Sequence, residues 1–300
     1  MVKATSTPAA HRASLPSKIE DGSSRAHLEQ PSVERTLVRR GDIAVIEVLS
    51  QGPAPGQAPR VVLLPSLGRG AGDFEPIAAA LAQAGLRVVR PQPRGIGHSH
   101  GCAYQDLEDC AEDIAAVIEA DGGGPALVAG HAFGNRVSRL LATDRPDLVA
   151  AVSLIAANVG HAPSPPEVRA AIRNSANSEL PPEQRLEALQ FAFFAPGNDP
   201  HAWLEGWYPH VLAHQRVAGD RTPRTRDYAG GAKPILYLQP SHDPLAHVED
   251  AEVFRRENGE RVTVIIVPDA SHAAIAEQPD FIARALIAYA ARIWPGHGVG

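Results

Sequence analysis

Short apolar runs alternate along this chain with longer stretches in which apolar positions recur every three to four residues. Asp42 to Leu49 is rich in Val and Ile, and Arg60 to Leu64 is almost wholly apolar, so both are expected strands. The Gly and Pro cluster from Gly52 to Pro59 predicts a turn between them, and with it a β-hairpin that feeds an inner strand. Phe74 to Ala84 has a helical, alanine-rich pattern, and Leu86 to Val89 reads as a short strand running into Pro91-Gln92-Pro93-Arg94-Gly95. From Leu107 to Ala120 apolar residues recur at helical spacing with acids opposite, until Gly122 to Gly124 stop the helix. A strand from Pro125 to Ala129 then meets Gly130-His131-Ala132-Phe133-Gly134, followed by a helix to about Asp144 and a strand from Val149 to Ile155.

The rhythm changes after Ala157. No strand-like run occurs before about Gly231; proline-punctuated helical pieces such as Pro166 to Ser175 and Glu183 to Phe194 stand there instead. Alternation resumes with strand Pro234 to Leu238, helix Val248 to Glu257, strand Arg261 to Val267 and helix Ile275 to Trp294. Strands that alternate with helices predict an α/β domain: a doubly wound, mostly parallel sheet covered on both faces. The expected core is 35–156 with 232–294, the expected cap 157–231. Residues 1–34 mix Ser, Pro and charges without an apolar run, and are read as a mobile tail rather than a secretory signal.

Composition adds exclusions. Of 300 residues 44% are apolar and 21% charged, enough for a substantial core. A net charge of -6 without a dense Lys/Arg patch argues against a nucleic-acid partner. No apolar stretch reaches the roughly 18 residues of a membrane span. Cys102 and Cys110 are read as two reduced thiols of a cytoplasmic protein. His210 and His214 have an i, i+4 spacing that could grip a metal, but no third ligand accompanies them, so neither a metal nor another cofactor is expected. Oligomeric state is not encoded in any pattern here.

The five residues Gly130 to Gly134 have the small-x-nucleophile-x-small form of a nucleophile elbow, with Ala132 where the attacking residue should stand. An acid and then a histidine should follow on loops after later strands. Gln239-Pro240-Ser241-His242-Asp243 and Pro268-Asp269-Ala270-Ser271-His272 occupy those places. With Pro93-Arg94-Gly95-Ile96-Gly97-His98-Ser99 after an early strand and Glu277-Gln278-Pro279 behind the histidine, the chain from about Arg35 to Trp294 resembles the α/β-hydrolase family. That resemblance implies the α/β-hydrolase fold with a helical lid, Asp243 as orienting acid and His272 as base. It also implies an oxyanion hole from the backbone N–H groups of Phe133 and, in a loop that reads Pro65-Ser66-Leu67 rather than His-Gly-x, Leu67.

A methyl group cannot attack a carbonyl. Loss of a serine nucleophile costs about 10⁶ in turnover, near 8 kcal/mol. Ser66, Ser99 and Ser138 lie off the elbow. Three readings stay open: His272 and Asp243 act without a covalent step; the chain is a Ser→Ala form of an esterase-like hydrolase; or it binds a small molecule without chemistry. The aromatic cluster Phe191, Phe193, Phe194, Trp203, Trp207 and Tyr208 suggests a lid over a mainly apolar pocket for a small apolar molecule, or pins that fasten the lid. Ser66, His131, Phe194, Trp203 and Trp207 are the candidate substrate contacts. His98 and His100 either rim the pocket or lie on a solvated loop.

Overall fold

The computed structural model describes residues 32–160 and 165–299. The expected tail therefore lies outside the described residues except at its end, where Glu34 already opens strand β1 (Glu34–Arg40). The remaining strands are β2 (Ala44–Gln51), β3 (Arg60–Leu64), β4 (Arg87–Pro91), β5 (His100–Gly101), β6 (Ala126–His131), β7 (Val149–Ile155), β8 (Ile235–Pro240) and β9 (Val262–Val267). Among the described residues they form one sheet in the order β1-β2-β4-β3-β6-β7-β8-β9, with β5 paired to β2. From β4 to β9 every neighbouring pair is parallel.

The expected hairpin is corrected by this order. β2 does not pair with β3; it turns back on β1 through Gly41-Asp42-Ile43 and lies antiparallel to β4, which separates it from β3. The Gly/Pro cluster 52–59 is thus a crossover loop, because a fully apolar β3 gains most by lying between two parallel neighbours.

Helix α1 (Glu75–Gln83) and the closing α10 (Pro279–Ile293) cover one face, while α2 (Leu107–Ala120), α3 (Phe133–Asp144) and α8 (Val248–Asn258) cover the other. The alternation of β3 shows why its sequence has no polar position. Val61 and Leu63 enter the core under α1 and α10, and Val62 and Leu64 enter the core under α2 and α3.

The chain leaves β3 toward β4 on one side and returns to β6 on the other, so the β3/β6 boundary is where the winding reverses. In open α/β sheets such a crevice at the strands' carboxyl ends is where ligands bind. Leu64 of β3 and Gly130 of β6 are register partners at that edge. The insertion after β7 is helical: α4 (Pro166–Ser175), α5 (Pro182–Ala192), a 3₁₀ turn Pro200–Trp203, α6 (Pro209–Arg221) and α7 (Arg224–Asp227). From Pro31 onward the chain makes one compact unit, so these helices belong to the same body as the sheet. Among the described residues, no helix is long and apolar enough to cross a membrane.

Candidate active site

Ala132 sits between β6 and α3 with φ 48° and ψ −107°, a conformation that disfavours any residue with a Cβ. The flanking glycines make the turn possible by close approach. A Cβ on Gly130 would collide with the backbone of Gly134 and Asn135, and one on Gly134 would collide with the carbonyls of Leu64 and Pro65. Being first in α3, the N–H of Phe133 has no intrahelical acceptor and points out of the helix start.

The acid and base loops are stitched to one another. Ser241 N–H donates to Val267 O at 3.0 Å, His242 N–H to Ala270 O at 2.9 Å, and Ser271 Oγ to His242 O at 3.1 Å. This brings His272 Nδ1 to 2.8 Å from Asp243 Oδ2. The other carboxylate oxygen accepts from Leu245 N at 2.7 Å and Ala246 N at 3.0 Å, which fixes its plane. Both side chains are buried, and His272 Nε2 has no hydrogen-bond partner among the described residues. An imidazole held by a carboxylate on one nitrogen and open on the other is arranged to accept a proton.

His272 and Ala132 line the same cavity of about 210 Å³, together with Ser66, Leu67 and Phe133. Phe193, Trp207 and Leu212 of the insertion after β7 also line it, as do Arg136, Asn158 and Arg224. The insertion thus adds apolar side chains to this wall, and the guanidinium groups of Arg136 and Arg224 stand beside them.

Several candidates are placed differently from expectation. Trp203 and Phe194 are buried in the core and do not line the cavity: Trp203 packs edge-on to Phe194 and Trp207, with Arg69 4.7 Å from its ring centre. Their size makes them pins for the cap, not its inner surface. His131, the last residue of β6, does not line the cavity. Its Nε2–H donates to the main-chain oxygen of His272 at 2.7 Å. Burial first, and the neighbouring His272 next, hold its pKa down at about 3, so the ring is neutral. His98 lies exposed on its loop and His100 exposed at the start of β5, and neither reaches the wall. His210 Nε2 meets Gly95 O at 3.1 Å, and among the described residues no group of three metal-ligating side chains forms.

Sequence reading missed the fastenings of the site. Tyr208 N–H donates to Gly68 O at 2.9 Å, and Gly68 N–H to Gln215 Oε1 at 2.8 Å, tying the cap to the loop that carries Leu67. Glu277 accepts from Ala195 N and Asn198 Nδ2 of the cap, both at 2.7 Å, and from Ser271 N at 2.6 Å. Burial, only partly offset by those bonds, raises its pKa above the usual carboxylate value. The sequence reading names Glu277 behind His272, but not its partners Ala195 and Asn198, which lie about eighty residues earlier.

A model of the alpha/beta hydrolase family matches residues 61–285, a span that includes the elbow, Asp243 and His272. RutD of Variovorax paradoxus (strain S110), a carbamate hydrolase by name, is 36% identical over 106 residues, 35% of this chain and 39% of its own length. Epoxide hydrolase B of Mycobacterium tuberculosis (strain ATCC 25618 / H37Rv) is 32% identical over 123 residues, 40% of this chain and 34% of its own. This chain thus spans well under half the length of those curated relatives. A hydrolase from Pseudomonas aeruginosa PA01 shares the fold with a TM-score of 0.70 at 18% identity, over 85% of this chain and 97% of that one. An esterase from Thermogutta terrifontis does so with a TM-score of 0.69 at 20% identity, over 87% and 99%. With the family model matched across residues 61–285, most of the sequence, this chain belongs to the alpha/beta hydrolase family.

Proposed function

We propose that this chain acts on a small, mainly apolar substrate through His272 as base and Asp243 as its orienter, without forming an acyl-enzyme. One observation carries the reading: a buried His–Asp pair whose free Nε2 belongs to the same capped cavity as a methyl group at the nucleophile position. A carboxylate-held imidazole in such a place is suited to activating water or moving a substrate proton. The N–H groups of Phe133 and Leu67 are the donors for a developing oxyanion. No cofactor takes part, and the reducing cytoplasm is the proposed setting for free Cys102 and Cys110.

A second reading has its own support. The elbow keeps a strained φ of 48° and both close-packed glycines, features whose use is to present a nucleophile, so the chain also fits a serine hydrolase with Ala in place of its Ser. The experiment that tests the first reading follows product and intact protein mass together. Wild type is incubated with small aryl esters, epoxides and β-diketones. Product without any mass adduct is expected; an acyl adduct on the wild type would contradict the non-covalent reading. Absence of turnover alongside binding of small apolar ligands would replace both catalytic readings with a binding protein.

A further inference from the structure

The wall of the cavity over Ala132 carries an unbalanced charge. Three guanidinium groups, those of Arg136, Arg139 and Arg224, gather around the single buried carboxylate of Asp227. Arg136 places Nε and Nη2 on Asp227, both at 3.0 Å, and gives Nη1 to Gly219 O at 3.0 Å and Nη2 to Thr222 O at 3.2 Å. Arg139, fully buried, reaches Asp227 at 3.4 Å and donates further to Asn135 and to Tyr228 O. These two arginines are committed.

Arg224 is different. Its one protein hydrogen bond among the described residues runs from Nη1 to Asn158 O at 3.0 Å, and no described carboxylate comes within ion-pair distance. A guanidinium has five N–H donors in a rigid planar fork, so most of its donating edge is open. The residue as a whole is exposed, yet burial of its guanidinium and then the Arg136 charge hold its pKa below the usual arginine range. In a chain of net charge -6, this is a local positive excess, and it borders the cavity that holds His272.

We infer that the cavity takes a substrate bearing a carboxylate, whose two oxygens meet the open edge of Arg224 while its apolar body lies against Phe193, Trp207 and Ile172. The inference rests on the proposed reading of this cavity as the substrate site, and it supplies what that reading lacks, the chemical class of the polar end. A planar carboxylate matches one free guanidinium edge by two parallel charge-assisted bonds. Size agrees: an engineered protein cavity of about 150 Å³ admits benzene, so about 210 Å³ admits a benzene-sized group with a short acid chain.

The test compares 3-phenylpropanoate with its uncharged amide, 3-phenylpropanamide, by titration calorimetry. The proteins are wild type, Arg224→Gln, Arg224→Lys and His272→Ala, each checked for an unchanged melting transition. Wild type is expected to bind the acid at least about tenfold more tightly than the amide, with an advantage that shrinks as salt is raised. Arg224→Gln should bring the two ligands to near equality without weakening the amide, and Arg224→Lys should restore part of the gap. Equal binding of acid and amide by wild type, survival of the preference in Arg224→Gln, or no binding of either ligand at millimolar concentration would each overturn the inference. His272→Ala is expected to keep the acid preference. If wild type prefers the acid but turns over nothing, the base chemistry fails and the carboxylate site stands; turnover without acid preference has the opposite meaning.

Discussion

His131 Nε2–H donates to the main-chain carbonyl oxygen of His272, 2.7 Å away, so the residue preceding the empty nucleophile position holds the backbone of the base from behind. The bond fixes the tautomer: with the proton on Nε2, Nδ1 is a bare acceptor, buried without a partner among the described residues. Protonating that ring would place an uncompensated charge beside the His272–Asp243 pair.

A pH dependence of stability follows. The unfolded imidazole titrates near 6.5, whereas burial holds the folded one at about 3. Between those values the unfolded chain binds the extra proton, so the stability contribution is full above pH 6.5 and is lost as pH falls toward 3, by about 1.4 kcal/mol per pH unit. Urea unfolding at pH 7, 6 and 5 should show a steeper loss in wild type than in His131→Gln. Parallel pH curves would mean that His131 does not carry the effect.

Glu277 has the opposite sign. Its folded pKa is raised above 4.5, so its contribution is fullest below about pH 4.5 and falls as pH rises through the folded value. Glu277→Ala strands the buried N–H groups of Ala195 and Ser271. It should cost roughly 2–4 kcal/mol, with a gap from wild type that narrows as pH rises from 4 to 7. Denaturant midpoints across that range provide the measurement; a gap that widened would reverse the assignment.

At the elbow, Gly134→Ala drives a methyl group into the carbonyls of Leu64 and Pro65. Those carbonyls begin the loop of Leu67, so the strain falls on the side of the cavity that Leu67 lines. A loss of about 2–4 kcal/mol is expected, seen as a fall in melting temperature. Unchanged stability would show that the β3 edge can yield.

Ala132→Ser places a hydroxyl on the strained turn that shares a cavity with His272. Fluorophosphonate labelling should be absent in wild type and stoichiometric in the variant, with a burst on activated esters. An unlabelled variant would show that the hydroxyl is not activated by the His272–Asp243 pair.

Much of this was legible in residue order. The apolar runs located β3, β4, β6, β7, β8 and β9 because inner parallel strands need no polar face, as Val61 to Leu64 illustrate, while the exposed two-residue β5 was not legible. The spacing of Gly130, Gly134, Asp243 and His272 reflects local turn geometry and strand order, so it survived in one dimension. β1 was not legible: Glu34, Arg35, Thr36, Arg39 and Arg40 make an edge strand whose exposed side mimics a loop. Its pairing with β2, and the separation of β2 from β3, are tertiary choices. Phe194 and Trp203 read as pocket aromatics because composition cannot tell a pin from a wall. Arg136 and Arg224 gave no signal, since the Asp227 partner of Arg136 and the cavity beside both arginines arise only when the insertion folds onto α3.

The most direct measurement of the central claim is kcat/KM of wild type, His272→Ala and Asp243→Asn on whichever small substrate wild type turns over. General-base action contributes about 10²–10⁴ in rate, so His272→Ala should fall by at least about a hundredfold, and Asp243→Asn should fall as well because it leaves the wrong tautomer facing the cavity. Wild-type turnover that survives His272→Ala undiminished would contradict the account.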